Sequence, residues 1–177
     1  MEQKEKVTVV ECLRRQQANA VQLYLQYKGY HWNVSGPLFH DLHKMFDENA
    51  SLVLETVDEL AERQRILGTR AQYTLQHMLQ STTLMSGEKL PASPKSMVEH
   101  LVISHRVMIR ELKKGFELAE QESDLGTADL CTRQVQVHEK MEWFLRELLE
   151  RPSPVLEGMA IGPVVSPRKE ASIPTGR

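Results

Sequence analysis

The chain has 177 residues, of which 41% are hydrophobic and 26% are charged, and this composition predicts one globular domain with a buried core. A formal net charge of −2 excludes nucleic-acid binding driven by overall charge, so any DNA affinity would need a local basic patch. The sequence has neither a membrane-spanning apolar run nor a signal-peptide pattern, which predicts a soluble cytoplasmic protein. Cys12 and Cys131 lie far apart, and we expect small buried or half-buried side chains rather than a disulfide or a thiolate zinc site.

Prolines divide the chain into a helical body and a tail. Residues 1–150 contain only Pro37, Pro91 and Pro94, whereas residues 151–177 contain five prolines. An interior proline costs a helix about 3 kcal/mol. We therefore expect a helical domain over residues 1–150 and an irregular, proline-rich C-terminal tail over residues 151–177.

Apolar residues recur every three or four positions within the body, which predicts four long helices. Gly68 is suited to end the second helix, while Ser93 and Thr127 are suited to cap the third and fourth. Two helical hairpins joined by a crossover of residues 69–92 predict an all-α four-helix bundle with a short helix in the crossover. The expected bounds, in chain order, are about Lys6 to Trp32, Pro37 to Leu67, Gln72 to Leu79 for the short helix, Pro94 to Glu122, and Thr127 to Glu150.

The second predicted helix carries two stripes of different chemistry. Apolar residues between Leu42 and Leu67 recur on one side and are expected to face the bundle core. About 100–200° around the helix, a second stripe points away from the core. On this stripe His43 and Asp47 form one i,i+4 pair, and Asp58 and Glu62 form another.

The spacing of these pairs determines what they can bind. The pairs are separated by about 16 Å along the helix axis, too far for one ion to be held by both pairs of one chain. An antiparallel copy of this helix across a two-fold axis would instead let each pair complete its partner's site. The turn after the first helix also brings His31 near His43. Residues between the pairs are small or apolar, as close approach requires: Ala50, Ser51, Leu54 and Ala61.

Two imidazoles and three carboxylates favour iron, manganese or zinc over calcium or magnesium. A solvated helix face is the default explanation for each i,i+4 pair alone, and the shared direction of all four side chains makes a metal site about as plausible. The sequence has no Glu-x-x-His, the motif of bundles that hold two irons within one subunit, so a site inside a single bundle is disfavoured. The other histidines are expected to be surface or packing residues: His40, His77, His100, His105 and His138.

Three segments carry a family resemblance: His31 to Gly36, Phe39 to Glu48, and Asp58 to Arg63. Over roughly residues 7 to 150 the chain resembles the Dps miniferritins, which are ferritin-like DNA-binding proteins from starved cells. The resemblance implies a hollow dodecamer built from two-fold dimers, which oxidises Fe(II), preferably with hydrogen peroxide, and stores the ferric product. It also implies two iron ions per inter-subunit site, with zinc as another possible occupant, and the following ligands: His31, His43 and Asp47 from one chain, with Asp58 and Glu62 from its partner.

The resemblance suggests roles for six more residues. Trp32, beside the first ligand, would accept oxidising equivalents near the site. The turn between the last two long helices matches the region where the family admits iron through acidic pores. Candidate pore residues are Glu120, Asp124 and Asp129, and candidate sites of mineral nucleation are Glu48 and Glu55.

The function expected from these features is an iron-oxidising storage cage that protects the cell from oxidative damage. DNA binding is expected to be weak or absent, because the charges of residues 1–6 cancel and the tail has only a modest positive excess. One alternative is a nucleoid-associated structural DNA-binding protein with a vestigial or zinc-filled metal site. Another is a monomeric helical adaptor whose carboxylate stripe lies in water.

Overall fold

The computed structural model describes residues 8–85 and 89–150, which form five helices and no strand. This confirms the all-α fold class. The predicted tail of residues 151–177 and the predicted start at Lys6 lie outside the described residues. Within the described part, no helix combines the length and apolar character needed to cross a membrane. The helices are α1 (Val9–Asn33), α2 (Phe39–Ile66), α3 (Leu75–Ser81), α4 (Pro94–Gln121) and α5 (Leu125–Glu147).

Helices α1 and α2 pack together as one hairpin, and α4 and α5 pack together as the other. Helix α1 also packs against α4, and the short helix α3 of the crossover packs against α1. Side chains from all four long helices fill the core, and the largest fully buried ones include Tyr27, Phe46, Met108 and Leu145. The four-helix bundle with a helix-bearing crossover is therefore the observed architecture.

The apolar stripe of α2 faces this core as predicted. Leu42, Phe46, Val53 and Leu60 are all buried. The prediction was wrong for Ala50, which is 1% exposed and belongs to the core rather than to the outward stripe. At about 80° from the centre of the apolar stripe, Ala50 lies at the edge between the two faces, where the helical wheel does not separate them.

Most helix ends follow local capping chemistry. Thr8 and Glu11 form a capping box at α1, and Ser93 with Ser96 forms one at α4. Gly68 has φ 82°, the left-handed conformation expected after α2.

Four predicted boundaries are corrected. Pro37 precedes α2 by two residues instead of occupying its first turn. Thr74 caps the crossover helix, which shifts that helix to Leu75–Ser81. Asp124, and not Thr127, caps α5, because its carboxylate accepts the backbone N–H of Thr127 at 3.0 Å and the Thr127 hydroxyl at 2.6 Å. The last helix ends at Glu147 instead of Glu150.

The cysteine predictions are confirmed, because Cys12 and Cys131 are both free and buried. Burial raises the pKa of Cys12 to about 11 and that of Cys131 to about 12, which keeps both as thiols. His105 and His138 are fully buried in the core, whereas His40 and His77 are exposed.

Candidate metal centre

Two histidines join the end of α1 to the start of α2. Nδ1 of His31 lies 2.8 Å from the carbonyl oxygen of His43, and Nδ1 of His43 lies 2.8 Å from the carbonyl oxygen of His31. The two rings stack with centroids 3.7 Å apart and an interplanar angle of 21°. The short connection from residue 34 to residue 38 brings them together, as the sequence predicted.

The reciprocal bonds define which nitrogen of each ring can bind a metal. A carbonyl oxygen only accepts hydrogen bonds, so each Nδ1 must carry the proton and donate it. In a neutral ring the other nitrogen, Nε2, then keeps its lone pair. A backbone carbonyl that receives the Nδ1 proton is the usual outer partner of a metal-binding histidine. The rings of His31 and His43 therefore fit a transition metal through Nε2.

Asp47 lies one turn beyond His43 on the exposed side of α2. Its Oδ1 accepts a hydrogen bond from the Lys28 ammonium at 2.6 Å, and this bond is the main cause of a lowered pKa at Asp47. The same ammonium lies 5.8 Å from the ring centroid of Trp32, whose side chain is 67% exposed. A cation therefore already occupies the carboxylate that the sequence predicts as a ligand.

Asp58 and Glu62 are exposed further along α2, in the direction expected. Their separation from Asp47 follows from the helical rise and is about 16 Å for Asp58. Within residues 8–85 and 89–150, no three His, Cys, Asp or Glu side chains are grouped so that one chain could hold a metal ion. The face carries an open groove lined by Ser51, Leu54, Glu55, Val57, Asp58 and Ala61.

The pore and nucleation candidates have different surroundings. Asp124 caps α5 and forms an ion pair with Arg63, so its carboxylate is part of the turn structure. Asp129 is bonded to Arg133 at 3.0 Å, whereas Glu120 is exposed. Glu48 is exposed and lies 3.8 Å from Lys44, and Glu55 lines the groove beside Asp58.

Sequence reasoning missed Lys28 as a neighbour of the site. Lys28 and His31 are three residues apart on α1, so they share one face of that helix. This spacing was a usable signal, because the resemblance already implied that His31 is a ligand. Arg63 was also missed, and its ion pair with a residue 61 positions later has no local signal.

Comparisons with known proteins point in one direction. A family model of the ferritin-like domain matches residues 10–153. The chain is 42% identical to Dps from Thermosynechococcus elongatus, covering 84% of this chain and 94% of that one with a TM-score of 0.78. It is 32% identical to DNA protection during starvation protein 2 of Bacillus anthracis, over 81% of this chain and 97% of the relative.

A fourth match concerns iron. Dps from Vibrio cholerae is described as a member of a broad superfamily of ferritin-like diiron-carboxylate proteins. It is 28% identical to this chain, covers 80% of it and 88% of its own length, and superimposes with a TM-score of 0.76.

Proposed function

We propose, since the chain belongs to the Dps proteins of the ferritin-like superfamily, that it oxidises Fe(II) at sites shared between two subunits and stores the ferric product. The observation that carries this proposal is the pair of stacked rings of His31 and His43, each with Nδ1 bonded to a carbonyl and Nε2 left to bind a metal. Asp47 follows on the same face, so one subunit contributes a half-site of two imidazoles and one carboxylate.

The second half of the site would come from Asp58 and Glu62 of another copy. Both residues are exposed and lie too far from the His31–His43 half-site to serve it within one chain. A two-fold axis across the outward face of α2 would bring the two halves together twice per dimer. The groove beside Asp58 gives this face a shape into which a neighbouring helix can pack.

The residue types suit the oxidation of two ferrous ions, which are substrates here. Each ferrous ion gives up one electron, the O–O bond of hydrogen peroxide breaks, and two protons complete two water molecules. Three carboxylates offset the growing positive charge as the ions become ferric, and neutral imidazole is a good iron ligand. Because both electrons are taken together, this reaction does not release hydroxyl radical.

We propose a dodecameric cage in the cytoplasm as the assembly that stores the product. Glu48 and Glu55, on the exposed side of α2, are proposed to face the mineral, and Glu120, Asp124 and Asp129 to line the iron entry route. Zinc is a further proposed occupant of the site, since imidazole and carboxylate also suit that ion.

A second candidate function is binding to DNA. It is favoured by the names of relatives such as DNA protection during starvation protein 2 of Bacillus anthracis. The net charge of −2 argues that such binding is weak, because DNA affinity depends on basic groups that displace counterions. A mobility shift that persists at physiological salt would favour this second function.

The test of the primary proposal removes the far half-site. The double variant Asp58→Ala with Glu62→Ala changes only side chains that are exposed within one chain, so the fold is expected to persist. It leaves the small and apolar residues of the proposed contact face unchanged, so the assembly is expected to persist as well. We expect the fast peroxide-driven oxidation of Fe(II), followed by stopped-flow absorbance, to be lost. Asp41→Ala, which removes an exposed carboxylate elsewhere on α2, is the matched control and should keep the fast phase.

Light scattering on each variant separates loss of the site from loss of the assembly. A double variant that stays assembled and still oxidises Fe(II) at the wild-type rate would refute the shared site. A wild-type mass of one subunit would favour the monomeric adaptor.

A further inference from the structure

Three hydrogen-bonded rings cross the bundle core, and none of them belongs to the proposed set of iron ligands. Tyr27 of α1, His105 of α4 and His138 of α5 are each 0% exposed. The Tyr27 hydroxyl lies 2.7 Å from Nε2 of His105, and Nδ1 of His105 lies 3.0 Å from Nδ1 of His138. Burying polar groups costs free energy, so three of them in one core call for a structural or functional explanation. The proposed ferroxidase site uses none of these three residues.

The hydrogen bonds around the three rings define which ring donates a proton to which. Asn49 donates its amide to the Tyr27 hydroxyl oxygen at 3.3 Å, which leaves the phenol free to donate its own proton. In one arrangement Tyr27 donates to Nε2 of His105, and Nδ1 of His105 in turn donates to Nδ1 of His138. This leaves one group without a partner among the described residues, the Nε2–H of His138. The opposite direction would leave both the phenol proton and Nε2 of His138 without partners. The first arrangement therefore satisfies more groups, and in it Tyr27 is the donor.

The electrostatics agree with this direction. Burial raises the pKa of the Tyr27 phenol, so the phenol is protonated at rest. Burial lowers the pKa of His138 to about 4 and that of His105 well below its ordinary value, with a further lowering at His105 from His138. Both imidazoles are thus neutral at rest, and Nε2 of His105 can accept a proton. Removing an electron from a phenol makes it a far stronger acid than an imidazolium, so the proton would pass along the 2.7 Å bond.

Tyr27, the first of the three rings, lies close to the proposed iron ligands. Tyr27 precedes His31 by four residues on α1, which is a rise of about 6 Å. The ring of Phe46, one residue before Asp47, packs with its centroid 6.1 Å from that of Tyr27. Tyr27 is therefore about one helical turn from the proposed ligand His31, a separation short enough for electron transfer, and it is fully buried.

We propose that Tyr27 is a one-electron redox site that traps stray oxidising equivalents, with His105 as the acceptor of its proton. The proposal rests on the proposed ferroxidase function, which supplies ferrous ion and peroxide, and therefore hydroxyl radical when the two react outside the paired-electron route. Hydroxyl radical takes one electron from Tyr27 and one proton from solvent and becomes water, while the phenol O–H bond breaks and its proton moves to Nε2 of His105. A ferrous ion then returns one electron to Tyr27, becomes ferric, and the proton moves back.

Tyr30 provides a matched comparison. Its hydroxyl is also bonded to a histidine, Nδ1 of His100. However, His100 and Tyr30 line an open groove with Lys89 and Pro91, so a proton released there has access to solvent. The sealed environment of Tyr27 distinguishes it as the place where a radical would persist.

The experiment mixes Fe(II)-loaded protein with a deficit of hydrogen peroxide and freezes it for electron paramagnetic resonance. We expect a tyrosyl radical that narrows when ring-deuterated tyrosine is incorporated, disappears in Tyr27→Phe and persists in Tyr30→Phe. In His105→Gln, the largest g value should rise because the hydrogen bond to the radical oxygen changes. This second variant keeps the test valid if Tyr27→Phe is poorly folded.

Stopped-flow iron oxidation in the same samples separates the two proposals. Fast iron oxidation with no tyrosyl radical, or with a tyrosyl radical that survives in Tyr27→Phe, overturns the role of Tyr27 and leaves the ferroxidase proposal intact. If iron oxidation is slow, the iron-free protein is oxidised with photochemically generated sulfate radical. The same Tyr27-dependent signal then supports the role of Tyr27, and its absence overturns it.

Discussion

Replacing Gly115 by alanine should destabilise the bundle, although glycine is a poor residue in a helix. Gly115 lies inside α4, and a Cβ added there would meet Nε2 of Gln16 at 2.3 Å and the sulfur of Cys131 at 3.1 Å. Gln16 is 0% exposed, and its amide donates to the carbonyl oxygen of Glu111 at 2.9 Å. The new methyl group would therefore displace a buried amide from its partner.

The expected change in the free energy of unfolding follows from one stabilising and two destabilising contributions. Alanine stabilises an open helix position by about 1 kcal/mol relative to glycine. A buried amide that loses its partner costs about 1–3 kcal/mol, and crowding of a packed core costs about 1–3 kcal/mol. We therefore expect Gly115→Ala to lower the free energy of unfolding by about 1–5 kcal/mol.

Gly29 is the matched control. It lies inside α1, and a Cβ there would meet nothing within 4 Å, so Gly29→Ala should raise the free energy of unfolding by about 1 kcal/mol. Both variants are measured by denaturant unfolding at one protomer concentration, because association shifts apparent stability. Adding Gln16→Ala to Gly115→Ala should recover part of the loss. Equal effects of alanine at positions 29 and 115 would refute this account of the core.

Acid titration offers two further tests. Burial lowers the pKa of His138 from the ordinary 6.5 to about 4, so between these pH values only the unfolded chain protonates it. The free energy of unfolding should therefore decrease as the pH falls from 6.5 to about 4, by up to about 1.4 kcal/mol per pH unit from this residue. The decrease should be less steep in His138→Gln. Burial alone would raise the pKa of Asp124, but hydrogen bonds from Thr127 and the Arg63 guanidinium lower it overall. The ionised Asp124 carboxylate therefore stabilises the fold fully above its ordinary pKa of 3.8, and this stabilisation is lost as the pH falls through the lowered pKa. Asp124→Asn should be less stable at neutral pH and lose less stability on acidification, and an unchanged acid midpoint would contradict this.

The sequence predicted best what a single rigid helix determines. The direction of the His43–Glu62 stripe follows from the helical repeat alone, and the structure keeps those carboxylates exposed. The cap of α5 was harder, because Asp124 and Thr127 are both good N-cap residues. The choice depends partly on Arg63, which reaches the turn from α2.

The contacts among the buried rings of Tyr27, His105 and His138 could not be predicted, because they too join residues that are distant in sequence. Tyr27, His105 and His138 come from three helices, and their sequence separations of 78 and 33 residues leave no local pattern. Each of the two histidines, taken alone, is an ordinary packing residue. Their relation exists only after the two hairpins have packed against each other.

The crossed carbonyl bonds of His31 and His43 have one more consequence. Because each ring is already fixed by the backbone of the other helix, its rotational freedom was lost when the hairpin folded, before any ion arrives. The imidazole half of the proposed centre is thus pre-organised, whereas the carboxylate half would depend on how two subunits meet. If the proposed site binds iron, changes in the loop between α1 and α2 that loosen these two bonds should weaken ion binding without altering any proposed ligand.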